Sequence, residues 1–262
     1  MDAMSLRLGT KHLFDRLLRL LRPDLVCDVG SMDASDALRF RRHLPGARIV
    51  AFEGNPRNLS RLRRNPAVAA AGIEVVPSLV WNADGARPFF VEDVADPRDG
   101  EDIRHGISST RPLRHGSLGR RMTMVAAVRL DTFAAGLTPP PGRIALWIDV
   151  EGAAYEVLEG TQAIAERVVA VHVEVETREL WTGQHLKPHV EALAHRLGWV
   201  TLARGAVEVQ HDLLLVRRRD LVRDPGRYLR AALWAHLATN RLRGLTPQAV
   251  RELAAIYTAG RR

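Results

Sequence analysis

The stretch Ile144–Gly160, IALWIDVEGAAYEVLEG, decides how the rest of the chain is read. Five apolar residues run into two acids, Asp149 and Glu151, and Gly152 then turns the chain toward a helical pattern. A short apolar run closed by turn signals reads as a buried strand. In open α/β sheets ligands bind outside the carboxyl ends of the strands, so both carboxylates stand where chemistry is expected. Acids also favour helix N-termini, and that plainer reading competes. A core strand, however, needs a turn residue at its end and not two acids.

Upstream, LVCDVG (25–30) and ARIVAFEGNP (47–56) have the same character, the first turning at Gly30 and the second ending at Glu53. IEVVPSLVW (73–81) reads as a third strand. Helical patterns lie between them: TKHLFDRLLRLL (Thr10–Leu21), stopped by Pro23, a segment over roughly 35–44, and LSRLRRNP, closed near Pro66. Downstream come the strand VVAVHVEVE (168–176), a helix over about 187–197, and a candidate hairpin of WVTLARG and VEVQHDLLLVRR. Residues 82–121 break the rhythm. NADGARPFFVED reads as a hairpin or turn joining short strands. GISSTRPLRHGS is a polar loop long enough for a lid, which would include Ser108, Ser109, Arg111 and His115. MTMVAAVRLDTF (122–133) resumes as a strand and a helix start. Strands alternating with helices predict an α/β fold with a mostly parallel, Rossmann-like sheet, helices on both faces and an antiparallel edge strand. The expected organisation is a helical extension over 1–24, one catalytic domain over 25–219 and a basic helical tail over 220–262.

Composition narrows the class. The chain has 262 residues and a net charge of +8, and 11 arginines against three acids after residue 216 account for all of that excess. The main domain is neutral, so the pI is weak evidence for nucleic-acid binding. The tail reads as two amphipathic helices, RYLRAALWAHLATN and TPQAVRELAAIYT, that dock on the domain or on a second subunit. They carry few bulky apolar residues for a membrane surface and no aromatic stacking pattern for RNA. The single cysteine, Cys27, excludes disulfides and a cysteine-rich zinc site. No secretory h-region or membrane-length run is present, and the expected location is the cytoplasm.

Two features separate the cofactors. An acid at the tip of the second strand, here Glu53, can accept hydrogen bonds from both ribose hydroxyls of an adenosine ligand. That geometry serves NAD and S-adenosylmethionine (SAM) alike. A dinucleotide also needs glycines that let the backbone approach its pyrophosphate. Here only Gly30 is in place, with Met32 and Ala34 at the later positions, which argues against NAD and nucleoside triphosphates.

DVGSMDAS, FEGNP, GISS, VRLDTF and IDVEG…EVLEG occur in the order found in FkbM-type SAM-dependent methyltransferases, which the chain resembles over roughly residues 25–216. The resemblance implies the class I methyltransferase fold and methylation of hydroxyl oxygens on sugars and other natural products. It implies that Asp28, Gly30 and Ser31 form the turn beneath the methionine part of SAM and that Glu53 holds the ribose. Gly54 and Asn55 would lie beside the adenosine, Ser78 and Leu79 would flank the adenine, and Asp149 and Glu151 would lie near the sulfonium and the acceptor. The chain departs from the family at Met32 (usually Asn), Ala34 (Gly), Gly54 (Pro), Trp147 (Lys) and Ala154 (Glu). The last two would alter groups around the reaction centre.

An alcohol acceptor needs a base, worth about 10²–10⁴-fold in rate. The candidates are Glu151, His172 and Glu174, because period-two alternation puts His172, Glu174 and Glu176 on one face of their strand. Asp149, Glu151, Glu174 and His172 could also hold Mg²⁺, but nothing has dedicated ligand spacing and no metal is expected. His211 and Asp212 could face the pocket from the edge strand, although a strand-end turn is the plainer reading. The expected partner is a small hydroxyl-bearing acceptor. Two rivals remain open: a methyltransferase-like binding protein that has lost catalysis, motivated by Met32 and Ala34, and an RNA methyltransferase anchored by the tail.

Overall fold

In the computed structural model, which describes residues 9–92, 108–114, 120–205 and 209–239, each apolar run of the sequence is a strand. In chain order they are β1 (Leu25–Val29), β2 (Arg48–Phe52), β3 (Glu74–Val76), β4 (Leu79–Val80), β5 (Gly85–Glu92), β6 (Arg120–Val128), β7 (Ile144–Ile148), β8 (Val168–Glu176), β9 (Trp199–Arg204) and β10 (Gln210–Arg217). Seven of them form one sheet in the order β3–β2–β1–β7–β8–β10–β9. β1 pairs in parallel with β2 and with β7, and β7 pairs in parallel with β8. Strands enclosed on both faces need no polar alternation, and all five residues of both β1 and β7 are buried. The antiparallel strand is β10, which pairs with β8 and β9, so the returning β9 takes the edge.

The run read as one strand over 73–81 is two. It breaks at Pro77, which has no N–H to donate to a ladder. β3 stays in the large sheet, while β4 joins β5 and β6 in a separate three-stranded sheet. β5 is a full antiparallel partner of β6 along its whole length.

The helices are α1 (Thr10–Leu21), α2 (Ser35–His43), α3 (Pro56–Arg64), α4 (Pro66–Ala70), α5 (Leu130–Ala135), α6 (Ala154–Glu159), α7 (Lys187–Arg196), α8 (Arg218–Arg223) and α9 (Pro225–Thr239). Asn55 and Asn65 cap α3 and α4, each with a proline at the first helical position, the pairing that satisfies orphan N–H groups at an N-terminus. On one face of the sheet, α1, α2 and α9 close a core that includes Phe14, Phe40, Trp147 and Tyr228. On the other, α5, α6 and α7 pack Leu130, Val157 and Val190 over β1, β7 and β8. The helix expected as an extension therefore belongs to the body of the fold: Leu13, Phe14, Leu17 and Leu18 are fully buried. α9 docks through Tyr228, Ala231, Ala232 and Ala235. The second tail helix expected over TPQAVRELAAIYT lies outside the described residues. Among the described residues no helix is long and apolar enough to cross a membrane.

The turn after β1 explains two of the departures. Met32 and Ala34 adopt φ of 48° and 63°, the left-handed region in which asparagine and glycine are at ease and alanine loses about 1–2 kcal/mol. Ala34→Gly relieves that strain, gives back about 0.5–1 kcal/mol in chain entropy and, because Ala34 is fully buried, loses about 0.8 kcal/mol with its methyl group. The effects nearly cancel, and the Tm should stay within about 2 °C of the parent. A Tm several degrees lower would show that the turn is not strained there.

Candidate active site

The strand order reverses between β1 and β7, and a cleft of about 360 Å³ opens beyond the carboxyl ends of these strands. This is where an open α/β sheet binds ligands. Eight of the twelve cofactor and base candidates named from the sequence line it: Gly30, Glu53, Gly54, Ser78, Leu79, Asp149, Glu151 and Glu174. Asp28, Ser31, Asn55 and His172 do not.

Asp28 and Ser31 build the turn instead. Ser31 Oγ donates to Asp28 Oδ2 at 2.6 Å, and the same oxygen accepts the Ala37 amide at 3.1 Å. A carboxylate from β1 thus caps the N-terminus of α2. Burial pushes its pKa up to about 7. Gly30, at φ 82°, passes so close to β7 that a Cβ there would lie 2.0 Å from the Asp149 carbonyl oxygen. Glu53 joins the two turns: its carboxylate accepts the amides of Met32 at 2.8 Å and Asn55 at 2.6 Å. Burial raises its pKa against those hydrogen bonds. Asn55 also donates through Nδ2 to Ser108 Oγ at 3.2 Å, tying the loop segment to the floor.

The acids across the cleft are set by register. Ile148 pairs with Val173, so Asp149 and Glu174 emerge at the same level of adjacent strands. Glu174 is pushed up to about 8, by burial first and then by the negative charges of Asp149 and Glu151. Gln210 Nε2 donates to its Oε1 at 2.8 Å. Asp149 is open to the cleft yet surrounded by protein, and is raised to about 6 by that surrounding and by Asp36 and Asp212, with Lys11 opposing. Glu151 Oε2 accepts from the Trp181 indole at 3.1 Å.

His172 is the base candidate that the structure removes from the cleft. It shares a face with Glu174 but lies two residues, roughly 6.5 Å, deeper along the strand. There α1 covers it: its ring stacks on Trp147 at 3.7 Å, and Nε2 meets Thr10 Oγ1 at 3.2 Å. Burial and the nearby Arg39 and Lys11 push its pKa down to about 3. Trp147, expected near the reaction centre, belongs to the same buried cluster with Phe14 and Phe40. Ala154 is buried in α6, and neither residue lines the cleft.

The described part of the expected lid, residues 108–114, is anchored. Ser109 exchanges backbone hydrogen bonds with Phe90, and its Oγ donates to the Glu151 carbonyl at 2.7 Å. Arg111 donates to the carbonyls of Gly152 and Gly183 and to the Glu156 carboxylate, at 3.1, 2.6 and 2.5 Å. One guanidinium thus clamps the turn that carries Glu151. Ser108 and Ser109 face the cleft with Thr110, while His115 lies outside the described residues. Asp212 accepts from Thr10 Oγ1 at 3.0 Å, and His211 meets Lys187; neither lines the cleft.

Sequence reading missed Asn58, Trp81 and Gln210, all of which line it. Gln210 was within reach, because a hairpin strand pairing with β8 puts it diagonal to Glu174. Asn58 and Trp81 carried no comparable signal. Among the described residues, no group of three or more His, Cys, Asp or Glu side chains could hold a metal ion. The lining holds four carboxylates and, among the described residues, no arginine, lysine or histidine.

A methyltransferase FkbM domain matches residues 28–200. The 2-O-methyltransferase NoeI of Sinorhizobium fredii (strain NBRC 101917 / NGR234) is 29% identical over 177 residues, which are 63% of this chain and 69% of that protein. Among solved structures, precorrin-6y C5,15-methyltransferase from Geobacter metallireducens GS-15 aligns with a TM-score of 0.42 at 12% identity, covering 77% of this chain and 86% of that one. The N-terminal domain of EvdMO1, solved in the presence of SAH and D-fucose, aligns with a TM-score of 0.40 at 14% identity, covering 83% and 84%.

Proposed function

Since the chain belongs to the FkbM methyltransferase family, which makes it a SAM-dependent methyltransferase, we propose that its acceptor is a hydroxyl oxygen of a sugar or secondary metabolite. The observation that carries the cofactor half of this reading is the carboxylate lining of the cleft. Glu53, Asp149, Glu151 and Glu174 line it with no basic side chain among the described residues. That lining suits a cationic ligand without phosphate, as SAM is, and opposes the pyrophosphate of a dinucleotide.

In this reading the turn at Gly30 lies beneath the methionine portion, Glu53 accepts from the ribose hydroxyls, and Gly54, Ser78 and Leu79 border the adenosine. Asp28, Ser31 and Asn55 act one step back, by shaping the turns. When bound, SAM supplies a methyl group on a sulfonium, already activated for in-line displacement. The chain's own residues then do two things. They hold the acceptor in line, an alignment that can be worth roughly 7–11 kcal/mol, and they take its proton. Glu174 suits the second task because a base works best with a pKa near the operating pH, and its own is about 8. Glu151, fixed by Trp181 and by Ser109, faces the acceptor. Ser109, Thr110 and Gln210 offer hydrogen bonds to a polyhydroxylated ligand, with Trp81 as an apolar wall. The name of the relative NoeI, a 2-O-methyltransferase, agrees with oxygen as the acceptor atom.

Calorimetry with SAM tests the cofactor half. Each hydrogen bond to a charged group is worth about 1.5–3 kcal/mol, so losing the pair to the ribose in Glu53→Ala should weaken binding by at least about 100-fold. Unchanged affinity would sink the assignment of Glu53. Methyl transfer to a panel of sugars and polyols, read as SAH formed, tests the acceptor half.

A further inference from the structure

A second cavity, also about 360 Å³, opens at the opposite end of the sheet, beside the amino ends of β7 and β8. Its walls carry Arg143, Arg217, Arg223, Arg227 and Tyr228, with Asp220 and Asp224 among them. Both aspartates are already engaged. Asp220 accepts Arg217 Nε at 2.7 Å, and Asp224 Oδ1 accepts the Arg227 amide at 3.0 Å. Two of the arginines are held in place, Arg217 by Asp220 and the Glu166 carbonyl, and Arg227 by the Leu20 carbonyl at 2.5 Å.

The remaining donors have no protein partner among the described residues. The guanidinium groups of Arg143 and Arg223 meet no hydrogen-bond or ion-pair partner among the described residues. Tyr228 is 1% exposed and its hydroxyl likewise has none. Burial pushes its pKa up to about 12, so it stays a donor at any working pH. The cavity is thus rich in donors and net positive, with four guanidinium groups against two carboxylates, of which Asp220 is paired with Arg217 and Asp224 accepts a backbone amide. A ligand that satisfies it must be compact, anionic and rich in acceptor oxygens.

We propose that this cavity is a binding site for a phosphoryl group, as free phosphate or as the phosphate of a small monoester. Guanidinium forks match phosphate oxygens two at a time, and a phosphoryl group brings three such oxygens and close to two negative charges. Two prepositioned arginines reduce the ordering that binding requires. The site has the opposite charge preference to the catalytic cleft, so a phosphate probe distinguishes the two.

The test is calorimetric titration of the full chain with inorganic phosphate and, separately, phenyl phosphate, at constant ionic strength in chloride. Saturable binding is expected. The double variant Arg143→Gln/Arg223→Gln should bind at least about tenfold more weakly, roughly one charge-assisted hydrogen bond. Its Tm in chloride should be unchanged, because both side chains are exposed and unpaired. Tyr228→Phe keeps the ring packing and should cost about threefold. Tighter binding of phenyl phosphate assigns the site to an ester, and equal or weaker binding assigns it to the free ion. No saturable heat with either probe, or phosphate binding that the double variant leaves intact, would overturn the proposal.

Discussion

Gly30→Ala is expected to destabilise the protein by about 3–5 kcal/mol and to lower its Tm by roughly 10 °C. Two costs add. At φ 82° an alanine loses about 1–2 kcal/mol, and its Cβ would stand 2.0 Å from the Asp149 carbonyl oxygen and 3.1 Å from Val150 Cγ1. The oxygen is backbone and cannot swing aside. β1 is fixed against it by the Asp149 amide, which donates to the Val29 carbonyl at 2.9 Å, and against β2 by the Gly30 amide, which donates to the Phe52 carbonyl at 3.1 Å. Relief therefore means parting β1 from β7 at the switch point, and cofactor affinity should be lost with it. Gly46→Ala is the control: it is exposed and nothing lies within 4 Å of its would-be Cβ, so its Tm should stay within about 2 °C of the parent. A Gly30→Ala variant as stable as the Gly46→Ala control would refute the close approach.

The second large effect is on rate. Glu174→Gln should lower kcat by about 10²–10⁴-fold, the usual contribution of a general base, while SAM affinity changes little. The pH dependence separates a base from a merely structural acid. Burial and four neighbouring carboxylates hold the Glu174 pKa at about 8, so below that pH it is protonated and cannot accept a proton. The kcat/KM of the parent should then climb with pH and level off near 8, and the climb should vanish in the variant. Stability runs the other way. An acid whose pKa is raised by folding contributes fully below the ordinary carboxylate range, and that contribution is lost as pH rises toward 8. The ligand-free parent should therefore lose stability across this window, and Glu174→Gln should lose less. A variant with full kcat would pass the role to Glu151.

The second prediction rests on the meeting of Asp149 and Glu174, whose closeness is not written in either segment alone. Each lies at the end of an apolar run, and each run is legible as a strand. Only the pairing of Ile148 with Val173 puts the two acids level. The same register explains why His172 was misjudged. Alternation along VVAVHVEVE put His172, Glu174 and Glu176 on one face, and that face is real. Period two says nothing, however, about where along the strand the covering helix ends. α1 ends its cover between His172 and Glu174, so one is a neutral core residue and the other reaches the cleft. Trp147 follows the same rule, on the strand beside His172.

The turn residues show the reverse case. Met32 and Ala34 stood out because the family usually places asparagine and glycine there, and their left-handed backbone supplies the physical reason. The break of 73–81 into β3 and β4 was signalled by Pro77, but which sheet would receive each piece was not.

From sequence alone came the alternation of strands and helices, the turn at Gly30, the acid tip at Glu53 and the acid pair after β7. These are local quantities: apolar runs, periodicities and the few residues that tolerate a sharp turn. The tertiary structure alone decided that α1 and α9 belong to one core, that Arg111 clamps the turn carrying Glu151, and that Gln210 holds Glu174. It also gathered four carboxylates in one cleft and four arginines in another. Charge acts through space, and the chain's order does not record which distant groups folding will bring within a few ångströms of one another.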